Sequence, residues 1–268
     1  MKKIGFLLII SSILIASCKD SDRDTDTSTN SCTDYAMAQS YALDAFKIVH
    51  QAALSSKGIT NNNLSDTTTI FGCDTLIVDT TTNPMSITIQ FNGVCGNSGN
   101  TRSGSITATF SNKYDALGTN VSISFNNYTY NDYPISGTIS YGFNGIINTI
   151  PTYTIAFNSL TFKNSKERYL TFAGNQTIGI TSGETTAKFT DDNYSISGTA
   201  SGRAFAGNEF NSTITSNLSL SGNCNWISSG VSTVTPTNKV PRTLNFGSGC
   251  DNKASAEIYD ISYEIVIP

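Results

Sequence analysis

A mainly β fold is predicted by this sequence: a large antiparallel β-sandwich or rolled sheet of about ten to thirteen strands, with one N-terminal α-helix. Three observations support it. Ser, Thr and Asn, which number 35, 36 and 27 among 268 residues, favour strands and turns over helix interiors. Apolar residues alternate with polar ones through most of the chain. Turn-forming pairs interrupt this alternation repeatedly, so the strands are expected to follow one another as a meander. A closed barrel would satisfy the same pattern.

The composition limits the size of the fold and the class of partner. A hydrophobic fraction of 38% over 268 residues is enough to form the core of a large domain. The formal net charge of −4 implies no extended basic surface. We therefore expect no nucleic-acid partner.

The first 17 residues have the pattern of a secretory signal peptide. Positive charge at Lys2 and Lys3 is followed by an apolar run from Ile4 to Ile15. The run is too short to cross a bilayer core of about 30 Å as a stable helix. The next residues complete Ile15-Ala16-Ser17-Cys18, which resembles the lipobox of bacterial lipoproteins. The resemblance implies that Cys18 becomes the acylated first residue of the mature chain and anchors it to the outer-membrane lipid bilayer.

Residues 18–32 are predicted to form a flexible stalk between the anchor and the folded domain. From Lys19 to Ser31 the sequence contains no apolar residue, so this segment cannot bury enough surface to become ordered. A lysine followed by acidic residues is similar to the export signals of surface lipoproteins in the Bacteroidetes. That similarity implies a position on the outer leaflet, at the cell surface.

One helix is predicted from Thr33 to Lys57, at the start of a single helix-plus-β domain that occupies residues 33–268. The segment is rich in Ala, lacks Gly and Pro, and is followed by Gly58, a residue type that often ends helices. Apolar residues recur near helical spacing, so one face is expected to dock on the sheet. These residues are Tyr41, Leu43, Phe46, Val49, Ala53 and Leu54. His50, the sole histidine, is expected to be a surface or packing residue.

The strands are predicted from about residue 66 onward, where apolar residues recur at every second position. Such alternation is typical of strands with one buried and one solvated face. Its clearest examples are Met85/Ile87/Ile89/Phe91, Ile106/Ala108/Phe110, Val121/Ile123/Phe125, Ile139/Tyr141/Phe143, Tyr153/Ile155/Phe157 and Ile261/Tyr263/Ile265/Ile267. The polar positions carry Ser, Thr and Asn with few charges. They suit either simple solvation or a hydrogen-bonding surface for glycans or another macromolecule.

Two disulfide bonds are predicted from the positions of four cysteines. Cys73 and Cys95 lie symmetrically about a turn at Asn83-Pro84, and Cys224 and Cys250 about a turn centred on Thr237. Opposed residues of an antiparallel hairpin are close enough to be bridged. An exported protein also meets the oxidising conditions that disulfides need.

The remaining cysteine and the single histidine argue against a bound cofactor. Cys32 has no obvious partner and is expected to be free or to form an intermolecular bond. The sequence contains no Cys-x-x-Cys pair, and one histidine does not supply a zinc site. We therefore expect neither a metal nor a cofactor.

No catalytic site is predicted. The sequence lacks Gly-x-Ser-x-Gly, His-Glu-x-x-His, phosphate-binding and dinucleotide-binding motifs. Carboxylates remain as candidates, and nothing in their spacing selects a pair. They are Glu167, Glu184, Asp191, Asp192, Glu209, Glu257, Asp260 and Glu264. Trp226, the one tryptophan, is expected to pack in the core beside the Cys224–Cys250 bond.

Several features of the chain occur in combination. They are the lipobox, the acidic stalk, the early helix, the stretch from Asp79 to Ile89, and the C-terminal stretches Cys224–Ile227 and Arg242–Ala254. Together they resemble a family of uncharacterised Bacteroidetes surface lipoproteins, and the resemblance covers most of the chain. It implies no reaction, ligand or active-site residue.

The expected function is therefore that of a non-catalytic binding or structural module on the outer membrane, with glycans or envelope proteins as partners. One alternative is a carrier of a lipid or another amphipathic ligand, and another is a carboxylate-dependent glycan hydrolase. What lies inside the sheet distinguishes these three functions. A carrier needs an apolar cavity of roughly several hundred Å³, and a hydrolase needs a cleft with two facing carboxylates.

Overall fold

The protein is built from one helix and one sheet in the residues that the computed structural model describes. These are residues 26–61, 74–95, 100–184, 186 and 189–268, with the backbone alone for Val94 and Cys95. The elements are α1 (Asn30–Leu54), β1 (Asp74–Asp79), β2 (Met85–Cys95), β3 (Asn100–Phe110), β4 (Asn120–Tyr130), β5 (Tyr133–Ile147), β6 (Ile150–Lys163), β7 (Tyr169–Ser182), β8 (Asn193–Arg203), β9 (Glu209–Ser221), β10 (Ile227–Pro236), β11 (Arg242–Ser248), β12 (Lys253–Ile258) and β13 (Ile261–Val266). The mainly β prediction is confirmed, at the upper end of the predicted strand number.

All thirteen strands belong to one antiparallel sheet, in which each strand pairs with its neighbours in the chain. β1 and β13 form the two edges and do not pair with each other, so the sheet is open. Of the predicted alternatives, the rolled sheet is confirmed. The sandwich and the barrel are wrong, because an unbroken meander leaves no strands for a second sheet and its edges do not meet.

Bulges bend the long strands so that the sheet can curl. The register shifts between Ser103 and Ser105 in β3, and again between Ser136 and Thr138 in β5. The residue at the first shift, Gly104, has a φ of 75°, and a Cβ atom there would lie 2.2 Å from the carbonyl oxygen of Asn127. A bulge increases the local bend and twist of a strand, and only glycine fits this one.

Helix α1 lies inside the roll and is surrounded by the sheet. Every residue from Tyr35 to Ala53 is buried, which includes all faces of the helix. Its aromatic side chains meet inward-facing rings of strands far apart in the sheet, as Tyr41 does with Tyr130 of β4 at 4.5 Å and Phe46 with Tyr141 of β5 at 5.0 Å. The expectation that one helix face docks on the sheet is therefore wrong. The alanines keep the helix narrow enough for the sheet to close around it.

The helix begins and ends three residues earlier than predicted. It starts at Asn30, where the carbonyl of Thr29 accepts hydrogen bonds from the N–H groups of Cys32 and Thr33. The last three residues of the predicted 18–32 stalk therefore belong to the helix, and Cys32 is already buried. At the other end, the Ser56 hydroxyl donates to the carbonyl of Ala52 at 2.6 Å and helps to end the helix.

Candidate functional site

The roll has two ends, and the connections of the antiparallel meander alternate between them. We call the end at which α1 begins the proximal end and the opposite one the distal end. Helix α1 begins at the proximal end, where the Asp34 carboxylate accepts the Phe205 N–H of the β8–β9 connection at 2.7 Å. It finishes near the distal end, where the Tyr114 N–H of the β3–β4 connection donates to the carbonyl of Ile59 at 2.8 Å. The proximal end carries the connections that follow even-numbered strands, and the distal end those that follow odd-numbered ones.

A buried ion pair joins the helix to the sheet. The Arg102 guanidinium of β3 donates two hydrogen bonds to the Asp44 carboxylate, at 2.6 and 3.1 Å, and a third to Tyr128 at 2.8 Å. Its face lies 4.2 Å from the centre of the Tyr130 ring. Such a pair fixes the position of the helix, since removing either partner leaves a buried charge without compensation.

Other polar side chains of the helix also have partners on the sheet. The Gln39 and Gln176 amides exchange two hydrogen bonds at 2.9 and 2.6 Å. The Lys47 ammonium donates to the carbonyl of Cys224 at 2.8 Å. Burial lowers the pKa of Lys47, and the charge of Asp44 opposes this effect. These contacts explain how a helix with charged and amide side chains can lie in the core.

His50 packs among aromatic rings near the distal end. Its Nδ1 atom lies 2.5 Å from the Tyr114 hydroxyl, and its ring contacts those of Phe46, Tyr153 and Tyr194. Burial lowers the pKa of His50 to about 3, so the ring is neutral at physiological pH. Among the described residues, its Nε2 atom has no hydrogen-bond partner. The expectation of a packing residue is confirmed.

Three of the candidate carboxylates converge beside this cluster. Burial raises the pKa of Asp192 to about 6, and the charges of Asp191 and Glu184 raise it further. Asp192 accepts a hydrogen bond from the Tyr194 hydroxyl at 3.1 Å and is itself buried. The other five carboxylates lie apart from this group on exposed positions of the sheet and its connections: Glu167, Glu209, Glu257, Asp260 and Glu264.

The convex face of the sheet carries a row of mostly uncharged side chains that crosses every strand. Its members lie opposite one another in the strand ladder, and none is buried. They are Asp79, Ser86, Thr109, Ser122, Ser140, Ala156, Asn175, Thr199, Thr213, Thr233, Thr243, Glu257 and Ser262. We call this set the hydroxyl row. Its only charged members are Asp79 of β1 and Glu257 of β12, and between β2 and β11 the row carries hydroxyl and amide side chains and one methyl group, that of Ala156.

A groove of approximately 550 Å³ lies at one end of this face, over β11, β12 and β13. Its polar lining consists of Asn245, Ser248, Asp251, Lys253, Ser255, Ser262 and Glu264. The Lys253 ammonium lies 3.3 Å from the Glu264 carboxylate, whose side chain is 67% exposed. An open groove lined by hydroxyls, an amide and one exposed ion pair can offer both donors and acceptors to a hydroxylated ligand.

The cysteine predictions have different outcomes. The Cys224–Cys250 disulfide is confirmed, with a Cα–Cα distance of 5.7 Å. The two cysteines flank the β10–β11 hairpin rather than facing each other within its ladder. Cys18, Cys73 and the side chain of Cys95 lie outside the described residues, so the lipidation site and the second predicted disulfide do as well.

Cys32 and Trp226 can be placed directly. Cys32 is a free thiol, and its burial inside the roll excludes the intermolecular bond that was one of its two expected states. Burial also raises the pKa of this thiol to about 12. Trp226 packs against the core, and its backbone N–H donates to the Cys224 sulfur, 3.4 Å away.

Sequence reasoning missed the side chains that hold the interior together. Asp44, Lys47 and Arg102 lie in segments that read as ordinary amphipathic helix and strand, and no local signal separates them from solvent-facing charges. The opposite holds for the hydroxyl row, whose residues follow directly from the alternation in the sequence.

The chain matches no protein-family model, and comparison with curated proteins and with solved structures gave no match either. In the part of the chain that the structure describes, no helix is both long and apolar enough to span a membrane. Nor do the described residues contain a group of His, Cys, Asp and Glu side chains able to hold a metal ion.

Proposed function

We propose that this protein is a cell-envelope lipoprotein that acts as a non-catalytic binding module, with the convex face of its sheet as the contact surface. The hydroxyl row is the observation that carries the proposal. It gives one continuous row, thirteen strands wide, whose members from β2 to β11 are uncharged. Each of these hydroxyl and amide groups can exchange hydrogen bonds with a neutral partner.

Neutral glycans are the class of ligand that this face suits best. A hydrogen bond at an exposed position contributes only about 0.5–1.5 kcal/mol, so a single contact binds weakly. A polymer that contacts many positions of one row gains from all of them together. The groove over β11–β13 is the most defined part of the face, and Asn245 and Ser255 lie opposite each other on its floor.

The anchor proposal fits the way the chain enters the domain. Asp26 lies eight residues after Cys18, a distance of at most about 28 Å for an extended chain. Its carboxylate is held at the proximal end by Lys239 at 3.2 Å and Arg242 at 3.3 Å. An acyl anchor on Cys18 would therefore turn the proximal end toward the bilayer and leave the convex face accessible.

The two alternative functions have less support. A lipid carrier would hold its ligand on the concave face of the sheet, and α1 with its aromatic contacts occupies that position. A glycan hydrolase needs one carboxyl group with a raised pKa, which burial normally provides. The groove holds Asp251 and Glu264, but Glu264 is largely exposed and paired with Lys253. Asp192 has a raised pKa, but it lies outside the groove and is itself buried.

Glycan binding by the whole chain, held in detergent micelles, tests the binding proposal. We expect weak binding to neutral polysaccharides on a glycan array, and its loss in Asn245→Ala. Asn208→Ala, an exposed residue of the β8–β9 connection and not of the convex face, is the matched control and should bind as the unchanged chain does. Absence of binding to every glycan, or equal loss in both variants, would contradict a glycan site in the groove.

Membrane fractionation tests the anchor separately. We expect Cys18→Ala to move the protein from the detergent phase to the aqueous phase, because acyl chains can no longer be attached. A variant that stayed with the membrane would show that Cys18 is not the anchor.

A further inference from the structure

Three large aliphatic side chains are exposed together at the distal end of the roll. Leu117 is 73% exposed, Ile146 69% and Ile147 50%. Leu117 belongs to the β3–β4 connection, whereas the two isoleucines end β5. We call these three side chains the apolar crown. Single exposed apolar residues are common, but contiguous ones usually mark a contact surface.

The crown lies at the rim of the roll, on a hairpin whose strand β5 runs beyond its neighbour β4. The last pair that joins β4 to β5 is Asn120 with Gly142, and β5 continues to its final pair with β6, Ile147 with Ile150. On the other side, β7 also runs on, to the pair of Ser182 with Asn193 of β8. The end of β5 is therefore left uncovered by β4.

The crown is also rigid. Asn148 and Thr149 close the hairpin in a two-residue turn with φ values of 50° and 68°. The Gly118 N–H donates to the carbonyl of Phe143 at 3.0 Å, which fixes the β3–β4 connection against the hairpin. A Cβ atom on Gly145 would lie 3.1 Å from Leu117 Cδ1, so the glycine lets Leu117 lie against the hairpin backbone.

The hairpin contains no charged residue except Lys163, which ends β6 at the proximal end. From Tyr133 to Phe162 the sequence has no Asp, Glu, Lys or Arg. A charged side chain opposes entry into a bilayer, and the distal part of this hairpin has none to bring in. We propose that the apolar crown inserts shallowly into a bilayer of neutral phospholipid.

Two other occupants suit the crown less well. A stable dimer interface takes about 20–30 residues from each partner, and the crown offers three side chains. Binding hot spots between proteins are enriched in Trp, Tyr and Arg and poor in Leu, and the crown is purely aliphatic. The nearby charges also argue for neutral lipid, because Asp115, Glu184 and Asp191 lie at the same end and would be repelled by anionic headgroups.

The crown and the point where the chain enters the domain lie at opposite ends of the roll. Strands of 14 and 15 residues, such as β6 and β5, span about 45–50 Å. If the proposed Cys18 anchor holds the proximal end at one membrane, the crown therefore meets a second, facing bilayer.

Tryptophan quenching by brominated lipid tests the insertion. The reporter is the full chain carrying Ile147→Trp, mixed with vesicles of phosphatidylcholine whose acyl chains carry bromine or do not. We expect the reporter to lose about half of its added emission in the brominated vesicles, because bromine quenches only rings that reach the acyl region. The control is Asn223→Trp, an exposed polar position in the β9–β10 connection at the same end. The emission that this tryptophan adds to that of Trp226 should not be quenched.

Replacing the rest of the crown completes the test. Adding Leu117→Ser and Ile146→Ser to the reporter should abolish the quenching, because the apolar surface that enters the bilayer is then removed. Equal emission in the two kinds of vesicle would overturn the proposal, and so would self-association in sedimentation velocity that Ile146→Ser abolishes. Flotation of the chain that carries Leu117→Ser, Ile146→Ser and Ile147→Ser reports the anchor without the crown, so a failed anchor and a failed crown give different results.

Discussion

The two faces of this sheet differ in their apolar content and in how their charged groups are held. Arg102 and Ser103 are neighbours in β3. The first is buried on the concave face with three hydrogen bonds to Asp44 and Tyr128, whereas the second is exposed on the convex face and shares a 2.6 Å hydrogen bond with Thr129. The concave face holds a few ionised groups in fixed positions, whereas charged side chains of the convex face, such as Lys163, Arg203 and Glu209, lie at strand ends and reach the solvent. Buried charge in this protein thus serves to fix the helix.

The largest expected effect comes from breaking the buried ion pair. Arg102→Ala should lower the free energy of unfolding by about 3–5 kcal/mol, because Asp44 is left buried without its partner. Denaturant unfolding measures the change. Lys253→Ala, which breaks the exposed pair with Glu264, is the matched control and should cost at most about 1 kcal/mol. Equal losses would mean that the two ion pairs do not differ as their burial implies.

The disulfide is expected to have the next largest effect. Replacing both Cys224 and Cys250 by Ser removes a link that closes 26 residues of chain, which should cost about 3 kcal/mol. Thermal unfolding with and without reductant measures the difference. In the double variant, reductant should not lower the stability of this hairpin any further. If the double variant melted at the same temperature as the oxidised parent, the bond would not stabilise the fold.

The pH dependence of stability distinguishes buried from exposed carboxyls. Burial raises the pKa of Asp34 and of Asp192 to about 6, above the ordinary value of 3.8. Each group therefore stabilises the fold fully below pH 3.8, and this contribution is lost as the pH rises through 6. The free energy of unfolding therefore declines as the pH rises over this range. Asp34→Asn and Asp192→Asn should each make this decline smaller by about 1–3 kcal/mol. Urea unfolding at several pH values measures it, and a pH profile unchanged in both variants would contradict it.

The smallest effect is expected on the hydroxyl row. Thr213→Ala and Thr243→Ala should change the free energy of unfolding by less than about 0.5 kcal/mol, because both side chains are exposed. A loss above about 2 kcal/mol in either variant would show that the row stabilises the fold and is not simply a contact surface.

Much of the sheet could be predicted because alternation is a local signal. Ile87 and Ile89 are buried and Thr88 between them is not, as the sequence of β2 indicates. The enclosure of the helix could not be predicted in the same way. The partners of Asp44, Gln39 and Lys47 lie 58, 137 and 177 residues away, and no pattern in the helix sequence predicts them.

The predicted disulfides show the same division between local and distant information. Turn residues at the centre of the β10–β11 hairpin correctly paired Cys224 with Cys250. The position of the bond outside the ladder depends on where the strands end, since β10 begins at Ile227 and β11 ends at Ser248, and the register also shifts between Ser229 and Val231. Such a shift depends on how the sheet bends, which the turn alone does not specify.

The enclosed helix also constrains the order in which the chain can fold. Hairpins of the meander can form one after another, but α1 precedes all of them and is covered by both early and late strands. The Tyr41 hydroxyl donates to the carbonyl of Pro268, 227 residues away, at 2.9 Å. A sheet that rolled up without the helix would have to open again to admit it. Folding therefore has to wait for the last strands of the sheet, and contacts so distant in sequence are typical of slow folding.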